Sequence, residues 1–283
     1  MRYFLLVITC TCNILFAKSG HIIHKNIAYL PISDNNFDTK KSRLDIYVPK
    51  EKGDGREIIV FIHGGNWDSG KKELYRFFGK RMADKGKIAV IINYRLSPDV
   101  DYFPMAMDCA SAIKWVHDHI AAYGGDRNKI VVSGHSAGGH LAALISNDNQ
   151  YFDSLKIVNP IKGCVLLDAF GLDMFSYFPT SRYKHDEKYK IVFGQDPVTW
   201  KKASPVFYLN ASSPPHLLLL GGNTFPGIKR QMHNYANTLQ QKGIKNSFYI
   251  VPKRSHVGMI LQFYWKKNEN FQRIFDFMTS CCQ

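Results

Sequence analysis

Apolar residues fall in short continuous runs along this chain, spaced by segments with helical periodicity. Leu44–Val48, Ile58–Ile62, Ile88–Asn93, Ile130–Ser133, Gly163–Leu167, His216–Leu220 and Ser247–Val251 read as strands. Between and after them, Lys72–Lys85, Met105–Ile120, Ala137–Ser146, Arg230–Gln241 and a final stretch around Asn268–Met278 read as helices. The strand runs are too uniformly apolar for a sheet with one face in water, so the alternation predicts a mostly parallel sheet covered by helices on both faces. In such a sheet the loops that carry chemistry gather at the carboxyl ends of the strands.

One strand end stands out. The run Ile130–Val132 leads into Gly134-His135-Ser136-Ala137-Gly138, and a helical segment opens at Ala137. A serine held between a strand and a helix needs small residues two places to either side, because the chain must turn sharply there. Ser136 is the candidate nucleophile. Upstream, the strand Glu57–Ile62 runs into His63-Gly64-Gly65-Asn66-Trp67. A turn of this kind can aim backbone N–H groups at one point, which is what a tetrahedral oxyanion requires. Gly65 and Asn66, together with Ala137, are the candidate oxyanion donors.

With these two turns in this order, the chain resembles the α/β-hydrolase fold. Within it the likeness is to esterases with an H-G-G-x-W oxyanion motif, the hormone-sensitive-lipase-like and feruloyl- or acetyl-esterase-like enzymes; kynurenine formamidases are similar too. The resemblance covers nearly all of residues 40–280, since Asn93-Tyr94-Arg95-Leu96-Ser97-Pro98, Tyr123-Gly124-Gly125-Asp126 and Gly138-Gly139-His140-Leu141 fit the family's order and spacing. It implies a Ser-His-acid triad acting through an acyl-enzyme, with the order nucleophile, acid, histidine along the chain. Of the 11 histidines, His256 fits the base, following the strand-like Ser247–Val251 and preceding the final helix. His135 and His140, beside the serine, read as packing or hydrogen-bonding residues, and His63 as a brace for the oxyanion turn.

The acid departs from the family pattern. The loop that carries it in most relatives, after His216–Leu220, reads Gly221-Gly222-Asn223-Thr224-Phe225-Pro226-Gly227 and has no carboxylate. One strand earlier, Gly163–Leu167 ends at Asp168, a placement similar to that in pancreatic-type lipases. Asp168 is the expected acid, with Asp173 and Asn223 as the alternatives. An asparagine can orient an imidazole but stabilises an imidazolium less well than a carboxylate.

The long connection 172–213, rich in aromatics (Phe175, Tyr177, Phe178, Tyr183, Tyr189, Phe193, Trp200), reads as a small lid insertion in one domain, residues 18–283. Arg2, the apolar stretch Tyr3–Phe16 and Ala17 read as a signal peptide over residues 1–17, too short for a comfortable bilayer span. A secreted or periplasmic protein without a stable membrane span is the expectation. Cys109 and Cys164 read as small core residues, whereas Cys281 and Cys282 are left open as paired or free.

The formal net charge of +14 favours anionic surroundings. Lysines are spread along the chain without a basic helix or an aromatic-basic RNA motif, which argues against nucleic acid. No dinucleotide or phosphate-loop fingerprint and no zinc spacing is present, so neither a cofactor nor a metal is expected. The expected activity is hydrolysis of a carboxylic ester on a small molecule or a polysaccharide. An amide target of the formamidase kind, or a non-catalytic binding protein that kept the fold, are the alternatives.

Overall fold

A computed structural model describes residues 20–181 and 184–282. The expected signal peptide, and Tyr183 of the expected lid, lie outside the described residues.

Eight strands form one sheet: β1 His21–Ala28, β2 Arg43–Pro49, β3 Arg56–Ile62, β4 Ile88–Ile92, β5 Gly125–His135, β6 Ile161–Leu167, β7 His216–Gly221 and β8 Asn246–Val251. Their spatial order is β1-β2-β4-β3-β5-β6-β7-β8. From β4 to β8 every neighbouring pair is parallel, whereas β2 runs antiparallel to both of its neighbours, β1 and β4. The central strands are buried on both faces; Ile58–Ile62 and Ile88–Ile92 expose essentially nothing, which is why they read as unbroken apolar runs. All seven expected strands form. The eighth, β1, sits at the sheet edge and is half exposed, so its sequence HIIHKNIA carries only a broken apolar alternation.

Ten α-helices cover the described residues: α1 Arg76–Asp84, α2 Tyr102–His119, α3 Ala137–Asn147, α4 Gln150–Ser154, α5 Met174–Thr180, α6 Tyr189–Phe193, α7 Pro197–Lys202, α8 Pro226–Gln241, α9 His256–Leu261 and α10 Glu269–Cys281. The helix expected over Lys72–Lys85 starts as a 3₁₀ turn, Lys72–Tyr75, before α1. There the Lys72 ammonium is buried on Asp45 at 2.7 Å and Asn26 at 2.7 Å, which ties the turn to β1 and β2. Both sheet faces carry an apolar layer, one with Trp67, Leu141 and Tyr235, the other with Phe61, Phe78 and Phe263. Cys109 and Cys164 are buried as expected, and Cys281 and Cys282 are free.

The parallel register sets up the site. Ile62 pairs with Gly134, Gly134 with Leu166 and Leu167 with Leu219, so β3, β5, β6 and β7 end together. The chain leaving those ends carries Gly65, Ser136, Asp168 and Thr224 in turn.

Candidate active site

Ser136 leaves β5 with φ 55° and ψ −122°, in the left-handed region that a non-glycine residue seldom adopts. Close packing around the turn enforces that conformation. A Cβ on Gly134 would collide with the Gly138 carbonyl, and one on Gly138 with the Ile62 carbonyl, so only glycine fits either side of the serine. The Ser136 N–H donates to Leu167 O at 3.1 Å, which locks the elbow onto the end of β6. Ala137 opens α3, and no intrahelical carbonyl reaches its N–H.

Asp168 follows β6 directly, also at positive φ (48°). Its carboxylate is fully buried and held from three sides. Gly221 N–H donates to Oδ1 at 2.6 Å, the Thr224 hydroxyl donates to Oδ2, and His256 Nδ1–H donates to Oδ2 at 2.9 Å. The loop that lacks a carboxylate thus contributes two donors to a carboxylate from the neighbouring strand. Asp173 does something else: it caps α5, accepting from Ser176 N–H at 2.9 Å. The exposed Asn223 donates its N–H to Arg254 O at 2.9 Å, so its backbone closes the loop carrying His256. Of the three candidate acids, only Asp168 meets His256.

His256 begins α9, a helix outside those expected from the apolar pattern, with Ser255 as N-cap accepting from Gly258 N–H at 3.2 Å. Its imidazole lies between two rings. Phe225 approaches edge-on at a centroid distance of 5.6 Å and His135 stacks at 4.6 Å. His135 also donates from Nε2 to the His256 backbone carbonyl at 3.0 Å. The residue before the serine therefore grips the histidine loop directly. Burial, and the neighbouring His256, push the His135 pKa down to about 3, so this second imidazole stays neutral beside the first. Periodicity gave no sign of this contact; the only signal was a histidine next to the serine.

The turn after β3 is braced around Gly65–Trp67. Asp68 and Ser69 N–H both donate to Gly65 O, and Gly64 N–H donates to the Tyr75 hydroxyl at 3.1 Å. Asn66 (φ 51°) and Trp67 (φ 62°) take the left-handed conformation in succession. Among the described residues, the N–H groups of Gly65 and Asn66 have no hydrogen-bond partner. His63 acts as the expected brace, stacking on Tyr94 at 4.4 Å while the Tyr94 hydroxyl donates to His63 O at 2.9 Å. Trp67 is buried; its Nε1–H donates to His140 Nδ1 at 3.1 Å, and His140 Nε2–H donates to Ala203 O at 2.7 Å. The 172–213 insertion packs on this same tryptophan through Phe193 at 4.8 Å and Tyr189 at 5.6 Å. The Tyr189 hydroxyl donates to the Asn66 side chain at 3.4 Å. The insertion's aromatics are thus core for the insertion and wall for the turn.

Residues 44–242 match the BD-FAE family. The chain belongs to that family. As a BD-FAE protein it is similar to a probable isoprenylcysteine alpha-carbonyl methylesterase of Arabidopsis thaliana, 26% identical over 241 residues, covering 80% of this chain and 50% of the relative. It is also similar to arylacetamide deacetylase of Bos taurus, 29% identical over 251 residues, covering 84% and 61%. The chain spans about half the length of the curated relatives it matches. Among solved structures, a truncated form of a carbohydrate esterase from gut microbiota superposes with a TM-score of 0.79 at 22% identity, over 94% of this chain and 98% of that one, and shares the α/β-hydrolase fold.

Proposed function

We propose that this BD-FAE protein is a serine hydrolase of carboxylic esters, with Ser136 as nucleophile, His256 as base and Asp168 as acid. The observation that carries this reading is the His256 Nδ1–Asp168 Oδ2 hydrogen bond of 2.9 Å at the strand ends that also carry Ser136. Holding Nδ1–H on a carboxylate leaves Nε2 as the basic nitrogen. Nε2 takes the Ser136 proton as Oγ attacks the ester carbonyl, and the N–H groups of Gly65, Asn66 and Ala137 receive the oxyanion. The imidazolium then protonates the leaving alcohol, and water hydrolyses the acyl-enzyme with His256 again as base. The relatives that carry esterase names support an ester substrate, and the arylacetamide deacetylase relative keeps an amide as the second reading.

The alcohol is proposed to belong to a small molecule or a saccharide. A secreted or periplasmic location is proposed on the residue 1–17 pattern alone. An amide target uses the same machinery, and acylation assays with matched ester and amide pairs separate the two. The retained hydrogen-bonded histidine and carboxylate argue against a decayed binding module. Labelling with a fluorophosphonate tests the whole reading: the chain should label, and Ser136→Ala should lose both labelling and turnover of p-nitrophenyl acetate at unchanged melting temperature. Labelling that persists in Ser136→Ala would move the nucleophile elsewhere.

A further inference from the structure

We infer that α9 and the residues after it form a docking surface for an anionic lipid bilayer, set beside the catalytic histidine. The charge of the chain is unevenly distributed. From Pro197 to Asn268, 72 residues, there is no Asp or Glu and there are ten Lys or Arg. Within that stretch, α9 and the 3₁₀ turn after it (Gln262–Tyr264) bury one apolar face through Met259, Ile260 and Phe263. A second apolar face points to water. Val257, Leu261 and Tyr264 fall at i, i+4 and i+7, one helical stripe, and Trp265 extends it. They are 57%, 46%, 59% and 59% exposed.

A helix apolar on both sides is buried on both sides in an ordinary core, so this stripe needs a partner. Basic residues bracket it at either end, Lys253 and Arg254 before and Lys266 and Lys267 after, all exposed. Among the described residues none of the four is ion-paired, and the next acid, Glu269, faces Arg273 at 3.6 Å. The stripe is held in place from beneath, since Arg81 donates from Nε and Nη2 to Tyr264 O at 3.1 and 3.0 Å.

Leu and Val flanked by Tyr, Trp and unpaired Lys or Arg match the physical demands of a lipid interface. Aliphatic groups enter the acyl boundary, aromatic rings sit at headgroup depth, and ammonium groups meet anionic headgroups. A polyanion such as an acidic polysaccharide matches the charge but leaves Leu261 and Trp265 in water. A second copy of the chain, docked on the same face by a twofold axis, sets both basic brackets against themselves. His256 is the residue before Val257, so docking places the proposed base next to the bilayer surface. The docking stands apart from the reading of Ser136 as nucleophile; only its consequence, access to membrane-borne esters, rests on that reading.

Vesicle flotation tests this. The full chain is mixed with vesicles of pure phosphatidylcholine and with vesicles containing about 30% phosphatidylglycerol, where each surface charge attracts basic residues. The Tyr264→Ala/Trp265→Ala and Lys266→Glu/Lys267→Glu variants share the same N-terminus, so any binding by Tyr3–Phe16 is common to all. The wild type should float with anionic vesicles, and each double variant should partition at least about tenfold more weakly at unchanged melting temperature, the charge-reversed one losing its salt dependence. Equal partitioning of all three chains, heparin binding without vesicle binding, or a dimer that Tyr264→Ala/Trp265→Ala converts to monomer would each overturn the inference. None of these readouts depends on turnover.

Discussion

Asp168 carries more of the site than its neighbours because three donors converge on one fully buried carboxylate. Asp168→Asn replaces an acceptor by an amide whose NH₂ faces Gly221 N–H, the Thr224 hydroxyl or His256 Nδ1. The imidazole then favours the wrong tautomer, and kcat should fall by about 10⁴. Thr224→Val removes a single donor and should cost about tenfold, the carboxylate keeping its other two. Asp173→Asn and Asn223→Ala should leave kcat within about twofold, since neither side chain reaches His256 and distant sites rarely couple. Steady-state kinetics on p-nitrophenyl acetate rank the four variants, and a larger loss at Asp173 than at Asp168 would reassign the acid. Lys72 poses the stability counterpart. Its ammonium is buried on Asp45, so Lys72→Met leaves a carboxylate without its cation and should lower the unfolding free energy by about 3–5 kcal/mol in urea titrations.

The turn after β3, proposed to hold the oxyanion, is the element whose shape depends on parts far apart in sequence. Trp67 anchors it from beneath, hydrogen-bonded through His140 to Ala203 and walled by Phe193 and Tyr189 of the insertion. Trp67→Phe keeps an apolar ring but drops the indole donor and part of the volume, which should cost about 1–2 kcal/mol of stability. The larger effect should fall on kcat, about tenfold, because the N–H groups of Gly65 and Asn66 lose their fixed aim while substrate binding is little changed. Measuring kcat and KM separately checks this; a change confined to KM would mean that the insertion shapes substrate binding and not the turn.

At the scale of the whole molecule, four buried histidines make the fold sensitive to acid. Burial holds His63, His140 and His216 down to about 4 and His135 to about 3, against an ordinary value of 6.5. As pH falls below about 6.5 the unfolded chain takes up protons that the folded chain refuses, so the unfolding free energy drops. The loss runs on until pH reaches the folded values near 4 and 3. Four groups titrating together should remove several kcal/mol between about pH 6.5 and 4. Urea midpoints measured across that range should fall steadily toward acid. A flat profile would mean that these rings gain access to water or to protons in the folded state.

The sequence by itself determined the sheet and two sharp turns, the one around Ser136 and the one after β3. Each rests on local constraints: unbroken apolar runs bury strands on both faces, and glycines at 134 and 138 are the only residues that fit the turn around Ser136. Chain order also narrowed the proposed base to His256. For the proposed acid the sequence favoured Asp168 and left Asp173 and Asn223 open, because the choice among the three depends on which strand end faces which loop, and register between β6, β7 and β8 is a property of the folded sheet. Tertiary structure alone brought Thr224 and Gly221 onto a carboxylate more than fifty residues away, and His135 onto the backbone of His256. It alone showed α9, whose short span after a loop leaves too little periodicity to read, and whose second apolar face becomes visible only once Met259, Ile260 and Phe263 have used the first. Periodicity records which residues are apolar along one segment; what covers them, and what meets across strand ends, is fixed by contacts between segments that the chain order does not encode.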